Sequence, residues 1–131
     1  MKPIEFTQQM KILSVSYGKD LDEETVEVWY EYFKSIEKEV FKRALKKIIT
    51  TSKYMPSISE ILEECEKTDK EIKLNVLDQM KERGYFKDVS EYEKTIMWLE
   101  KGIVPKWLLE DMRKEYKLLA SEKKLLEIEG K

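Results

Sequence analysis

Glu23, Glu24, Glu27 and Glu31 are the side chains that type and spacing best suit to chemistry. A pair of carboxylates can share general acid and base roles, and three can hold a magnesium ion. The remaining equipment for catalysis is missing. The chain has no histidine and a single cysteine, Cys65, which removes the commonest general base and the familiar zinc-binding constellations. No P-loop is present to cradle a nucleotide triphosphate, and the four glycines are too scattered for a dinucleotide-binding turn. With 27 acidic and 25 basic residues, the glutamates read as a solvated helix face. The expectation is a protein that is not an enzyme and that carries no cofactor and no metal.

Two further groups of residues could recognise a partner. Lys38, Lys42 and Lys46 recur every fourth residue, with Arg43 and Lys47 one step round, so five cations share one helical side. Lys42, Arg43, Lys46 and Lys47 are the candidate phosphate contacts, since each phosphate neutralised adds a salt-dependent increment of affinity. The acidic segment just before them offers a structural alternative, in which the two faces pair, and this is the favoured reading. The second group is Ile96-Met97-Trp98-Leu99 followed by Ile103, Val104, Pro105, Trp107, Leu108 and Leu109. Trp and Met suit binding surfaces. The same residues would also serve as the core of a small helical unit, and the sequence leaves both open. Cys65 falls on an apolar stripe, where a small core residue is expected.

The bulk composition frames these groups. At 131 residues the chain fits one ordinary domain, or a small core with an appended arm. Its apolar share, 41%, is near the globular average, and its charged share, 40%, is far above it. The charges almost cancel, to −2, so nucleic acid could be met only through a local patch. A lone cysteine suits a reducing compartment. The opening MKPIEFTQQM has no apolar signal stretch, and no run of eighteen apolar residues occurs to span a membrane. A cytoplasmic location is expected.

Helices must position all of this, because no period-two alternation bounded by turn residues appears. Phe6, Met10, Leu13 and Tyr17 fall on one helical face, closed by Gly18. A second helix is capped by Asp20 with Glu23 or by Asp22 with Thr25, and buries Val26, Trp29, Tyr30 and Phe33. Ser35 to Glu39 reads as a tight connection. A third helix buries Val40, Phe41, Ala44, Leu45 and Ile48. Pro56 interrupts the pattern, and Ser57 with Glu60 forms a capping box for a helix with Ile58, Ile61, Leu62 and Cys65 inward. Residues 66–73 (EKTDKEIK) carry no core pattern, and are either an exposed linker or a solvent-spanning part of one long helix. Beyond them Ile72, Val76, Leu77 and Met80 lead to a stop at Gly84. Asp88 and Glu91 then cap a helix with Val89, Tyr92, Ile96 and Leu99 inward, ending at Gly102. Pro105 suits the first turn of a last helix carrying Leu108, Leu109, Met112, Tyr116 and Leu119, and the tail Ser121–Lys131 is expected to fray. The fold class is all-α: a compact bundle of about four helices over residues 1–66, then a helical C-terminal arm over 67–131.

The run Tyr17, Asp20 to Glu24, Val28-Trp29, Phe33, Val40 to Leu45 and Ile48-Ile49, closing on TSKYMPSISEIL (residues 51–62), resembles the phage replicative helicase loader/inhibitor family. The closing stretch is the most specific piece, and the resemblance covers about residues 1–66. The segment MWLEKGIVPKWLLEDM is similar to the tails of related phage replication proteins. The resemblance implies an ATPase-free helical protein that binds a hexameric DnaB-type helicase, holds it inactive and hands it to an origin-bound initiator. It further implies helicase capture by the C-terminal arm, which points to Trp98, Leu99, Trp107, Leu108 and Met112. The short linker and the distal helical periodicity depart from an arm that is wholly disordered when free. Two alternatives accompany this reading: a DNA-binding replication accessory using the helix-three cations, and a phage inhibitor of a host replication protein.

Overall fold

The computed structural model describes the backbone of residues 1–129 and the side chains of residues 1–119. Six helices occur among the described residues, with no strand: α1 (Pro3–Tyr17), α2 (Glu23–Phe33), α3 (Lys38–Thr51), α4 (Ile58–Glu82), α5 (Val89–Lys101) and α6 (Lys106–Glu129). They form two compact units, Met1–Asp69 and Lys70–Lys131. The division falls inside α4, three residues beyond the boundary expected at 66.

In the first unit, α1 opens with Pro3 and ends at Gly18, whose φ of 62° is the left-handed conformation that glycine adopts without strain. Asp22 settles the choice of cap for α2, accepting a 2.7 Å bond from the Thr25 backbone N–H. The connection to α3 ends at Glu37, so Lys38 and Glu39 are helical, two residues earlier than the sequence suggested. The core is an aromatic triangle: Phe6 of α1, Phe33 of α2 and Phe41 of α3, with ring centroids 5.2–6.0 Å apart. Such pairs add about 0.5–1.5 kcal/mol each beyond the area that they bury. All five residues expected inside on α3 are buried. On α2 only Phe33 is fully buried, whereas Val26, Trp29 and Tyr30 are half-buried at its edge. Polar bonds tie the helices together. The Tyr17 hydroxyl reaches the carbonyls of Ile48 (3.3 Å) and Ser52 (2.9 Å), and Tyr30 donates to the Met1 carbonyl at 2.7 Å.

The Ser57–Glu60 capping box starts α4 as expected, with Glu60 N–H donating to Ser57 Oγ at 3.2 Å. Residues 66–73 are helical throughout, so of the two alternatives the long helix is the one realised. Glu and Lys are strong helix formers and pair one turn apart, as Lys67 does with Glu63 at 3.5 Å. Helix can therefore persist where no apolar stripe exists.

The second unit has its own core of Val76, Leu77, Met80, Leu99, Leu108 and Met112. Asp88 caps α5 through the Glu91 N–H at 2.9 Å, while the Glu91 carboxylate accepts from Lys87 N–H rather than from the cap residue. Val89 is a correction: expected inward, it lies in the first turn of α5 and is exposed. Thr95 takes an inward place instead, its hydroxyl bonded to the Glu91 carbonyl. Pro105 precedes α6 rather than opening it, and its carbonyl accepts from Leu108 and Leu109. The backbone of the tail is helical to Glu129, and the side chains expected to fray, Ser121–Lys131, lie outside those described. Three polar contacts brace this unit: Tyr92 donates to Asp78, Tyr85 to Asp111 at 2.6 Å, and Arg83 pairs with the nearly buried Glu115 at 3.0 Å.

Candidate functional site

The glutamates of α2 stand in solvent. Glu23, Glu24, Glu27 and Glu31 are all exposed, and Glu31 is paired with Lys34 at 2.7 Å. Among the described residues no three His, Cys, Asp or Glu side chains gather as a metal site would require. Cys65 is buried on α4, and burial, reinforced by the neighbouring Glu64 carboxylate, pushes its thiol up to about 12. A thiol held protonated in this way is a poor nucleophile.

The cations of α3 lie opposite its buried stripe and are exposed. The two ion pairs described for them lead to α1 and α4 rather than to the acidic helix that the sequence offered as their partner. Lys38 meets Glu5 of α1 at 3.4 Å, and Lys47 meets Glu64 of α4 at 3.0 Å. The turn between α2 and α3 sets those neighbours, since α1 is the helix that packs on both. The bond from Lys2 N–H, and after it Lys38, hold the Glu5 carboxyl below its ordinary range. Lys42, Arg43 and Lys46, between the two paired lysines, have no carboxylate partner among the described residues.

The five residues to which the family resemblance points are divided between core and surface. Leu99, Leu108 and Met112 are buried in the second unit's core, where residues of α4, α5 and α6 meet. Their spacing marks an apolar face, and which members of it are covered depends on the neighbouring helices. Trp98 is half-buried, with the Lys94 ammonium 5.2 Å from its ring centre. Trp107 is on the surface, 57% exposed at the start of α6. Met97 and Ile103, from the same apolar stretch, are also exposed. Exposed apolar side chains of this stretch thus occur on α5, just after the Gly102 turn and in the first turn of α6.

A second exposed group had no signal in the sequence. Tyr54, in the bend after α3, is 76% exposed, and on α1 Ile4, Ile12 and Val15 face solvent. Tyr54 sits in an irregular stretch, where no periodicity reports which way a side chain faces. The α1 residues recur at spacings of eight and three, which a search for one core face passes over.

No described helix is long and apolar enough to cross a membrane. No curated protein and no solved structure matches the chain. Residues 1–62 match the family model for the N-terminal domain of the phage SPP1 helicase loader/inhibitor, a span that takes in α1, α2, α3 and the opening of α4. The aromatic triangle, the Asp22 cap and the Ser57–Glu60 box all lie within it, and through this N-terminal stretch, just under half of the chain, the protein is similar to the phage helicase loader family.

Proposed function

We propose that this protein is a non-catalytic adaptor of phage DNA replication. It binds a hexameric DnaB-type replicative helicase, holds it inactive and delivers it to an origin-bound initiator, in the cytoplasm of the infected or lysogenic host. The match of residues 1–62 to the loader family carries the reading. It is supported by apolar surface on the second unit around Trp107, Ile103 and Met97. Loading asks for no bond-making by the loader: binding to several subunits favours one ring conformation by the difference in its affinity for the two states. In this reading the second unit grips the helicase through Trp107, with Trp98 nine residues earlier in sequence, while Leu99, Leu108 and Met112 keep that surface in shape.

Co-precipitation with the cognate helicase tests the assignment. Trp107→Ala should weaken capture by the ~2 kcal/mol typical of an interfacial aromatic anchor, with an unchanged melting temperature. Unchanged capture by the Trp98→Ala/Trp107→Ala double variant would reject the proposed surface. An unwinding assay with and without the initiator separates a loader, whose inhibition is relieved, from a pure inhibitor, whose inhibition persists.

A further inference from the structure

We propose that the outward face of α3, with the Lys53-Tyr54 corner that follows it, binds single-stranded nucleic acid. The site uses residues of the first unit only, and none of those through which the second unit is proposed to grip the helicase. Lys42, Arg43 and Lys46 are exposed and have no carboxylate partner among the described residues, while the lysines flanking them, Lys38 and Lys47, are neutralised by Glu5 and Glu64. Positive charge is thus concentrated in the middle of the helix, where Lys42 and Lys46 are one turn, about 6 Å, apart along the axis. Lys53 and Tyr54 follow Ser52, the C-cap of the helix. Lys53 is exposed and makes no ion pair among the described residues. Tyr54 is the most exposed large apolar residue described. Its side chain makes no hydrogen bond and no ring contact there, and the one bond at this residue is Ser52 Oγ donating to its carbonyl.

The ring therefore does nothing for the fold, although its neighbours in sequence do. Pro56 and Ile61 are buried, and Ser57 and Glu60 cap α4, so each of those has a structural task. A cationic row followed by an open aromatic face is the arrangement that holds a single strand, with phosphates on the cations and an unpaired base stacked on the ring. The bases of a duplex are already stacked and cannot use Tyr54. Duplex DNA also packs charge more densely against a chain whose own net charge is −2.

The experiment is fluorescence anisotropy of the full chain, without helicase, against a labelled 20-mer of thymidine, the matching uridine strand and a 20-base-pair duplex at 50 mM KCl. The thymidine or the uridine strand should bind more tightly than the duplex, and the tighter of the two identifies the sugar preferred. Affinity should fall with salt at a logarithmic slope of about −2 to −3, as expected for three or four phosphates neutralised on a single strand. Lys42→Gln/Arg43→Gln/Lys46→Gln should abolish binding, and Tyr54→Ala should weaken it about five- to 150-fold. All four positions are exposed, so thermal melts should match the parent. Absence of single-strand binding by the parent, full binding by the triple variant, or tighter duplex binding indifferent to Tyr54→Ala would each overturn the proposal. None of these results bears on helicase capture, which rests on other residues.

Discussion

Trp29 and Phe33 are one helical turn apart on α2 and look equivalent in sequence, yet their energetic roles differ. Trp29 is half-buried with its ring 6.4 Å from Phe33, whereas Phe33 is fully buried between Phe6 and Phe41. Phe33→Ala should therefore cost about 3–5 kcal/mol, a large part of a small domain's stability, and Trp29→Ala distinctly less. Urea denaturation of the two variants checks the order. At Cys65, a thiol pushed up to about 12 stays protonated at pH 8. A disulfide reagent should leave it unmodified in the folded chain and react promptly in denaturant. Tyr85 and Tyr92 behave alike for different leading reasons: burial first for Tyr85, and for Tyr92 chiefly its bond to Asp78; both are pushed up to about 12. The folded state favours the protonated phenols, so their contribution is complete below about pH 10 and is lost as pH rises through about 12. An alkaline circular-dichroism titration should show helix lost over that window. Tyr85→Phe/Tyr92→Phe, which has no phenol to ionise, should lose less of it.

Helix ends were legible because their chemistry is local. Gly18 and Gly102 stop α1 and α5 with φ of 62° and 71°, and Asp22, Ser57 and Asp88 start α2, α4 and α5. Ser57→Ala should cost about 0.5–2 kcal/mol. Gly102→Ala should cost about 1–2 kcal/mol through backbone strain alone, since nothing lies within 4 Å of the added methyl. Thermal melts of each variant measure both. Residues 66–73 were ambiguous because helix propensity and apolar periodicity disagreed there. Propensity prevailed, and Thr68 takes a buried place within the stretch although no apolar side chain marks it in the sequence.

At the scale of the whole chain, two units each enclose a core, and the consequences of substitution divide between them. Leu108→Ala removes a fully buried side chain from the second core and should cost about 2–5 kcal/mol. It should lower helicase capture together with the melting temperature, whereas Trp107→Ala should lower capture alone. Parallel melting and co-precipitation on the two variants distinguish support from contact. Equal loss of stability in both would contradict the surface position of Trp107.

By itself, the sequence determined the all-helical class, most helix boundaries, the buried stripe of α3 and the want of histidine, cysteine and glycine patterns that covalent or metal chemistry would use. These follow from backbone rules and side-chain inventories that act within a few residues. The tertiary structure alone decided that Leu99, Leu108 and Met112 are core while Trp107 is surface, that Lys38 and Lys47 pair with α1 and α4, and that the Tyr54 ring faces solvent. Periodicity states which side of a helix is apolar. How much of that side is covered, and which charge lies opposite, depends on helices distant in sequence, and only packing brings those together.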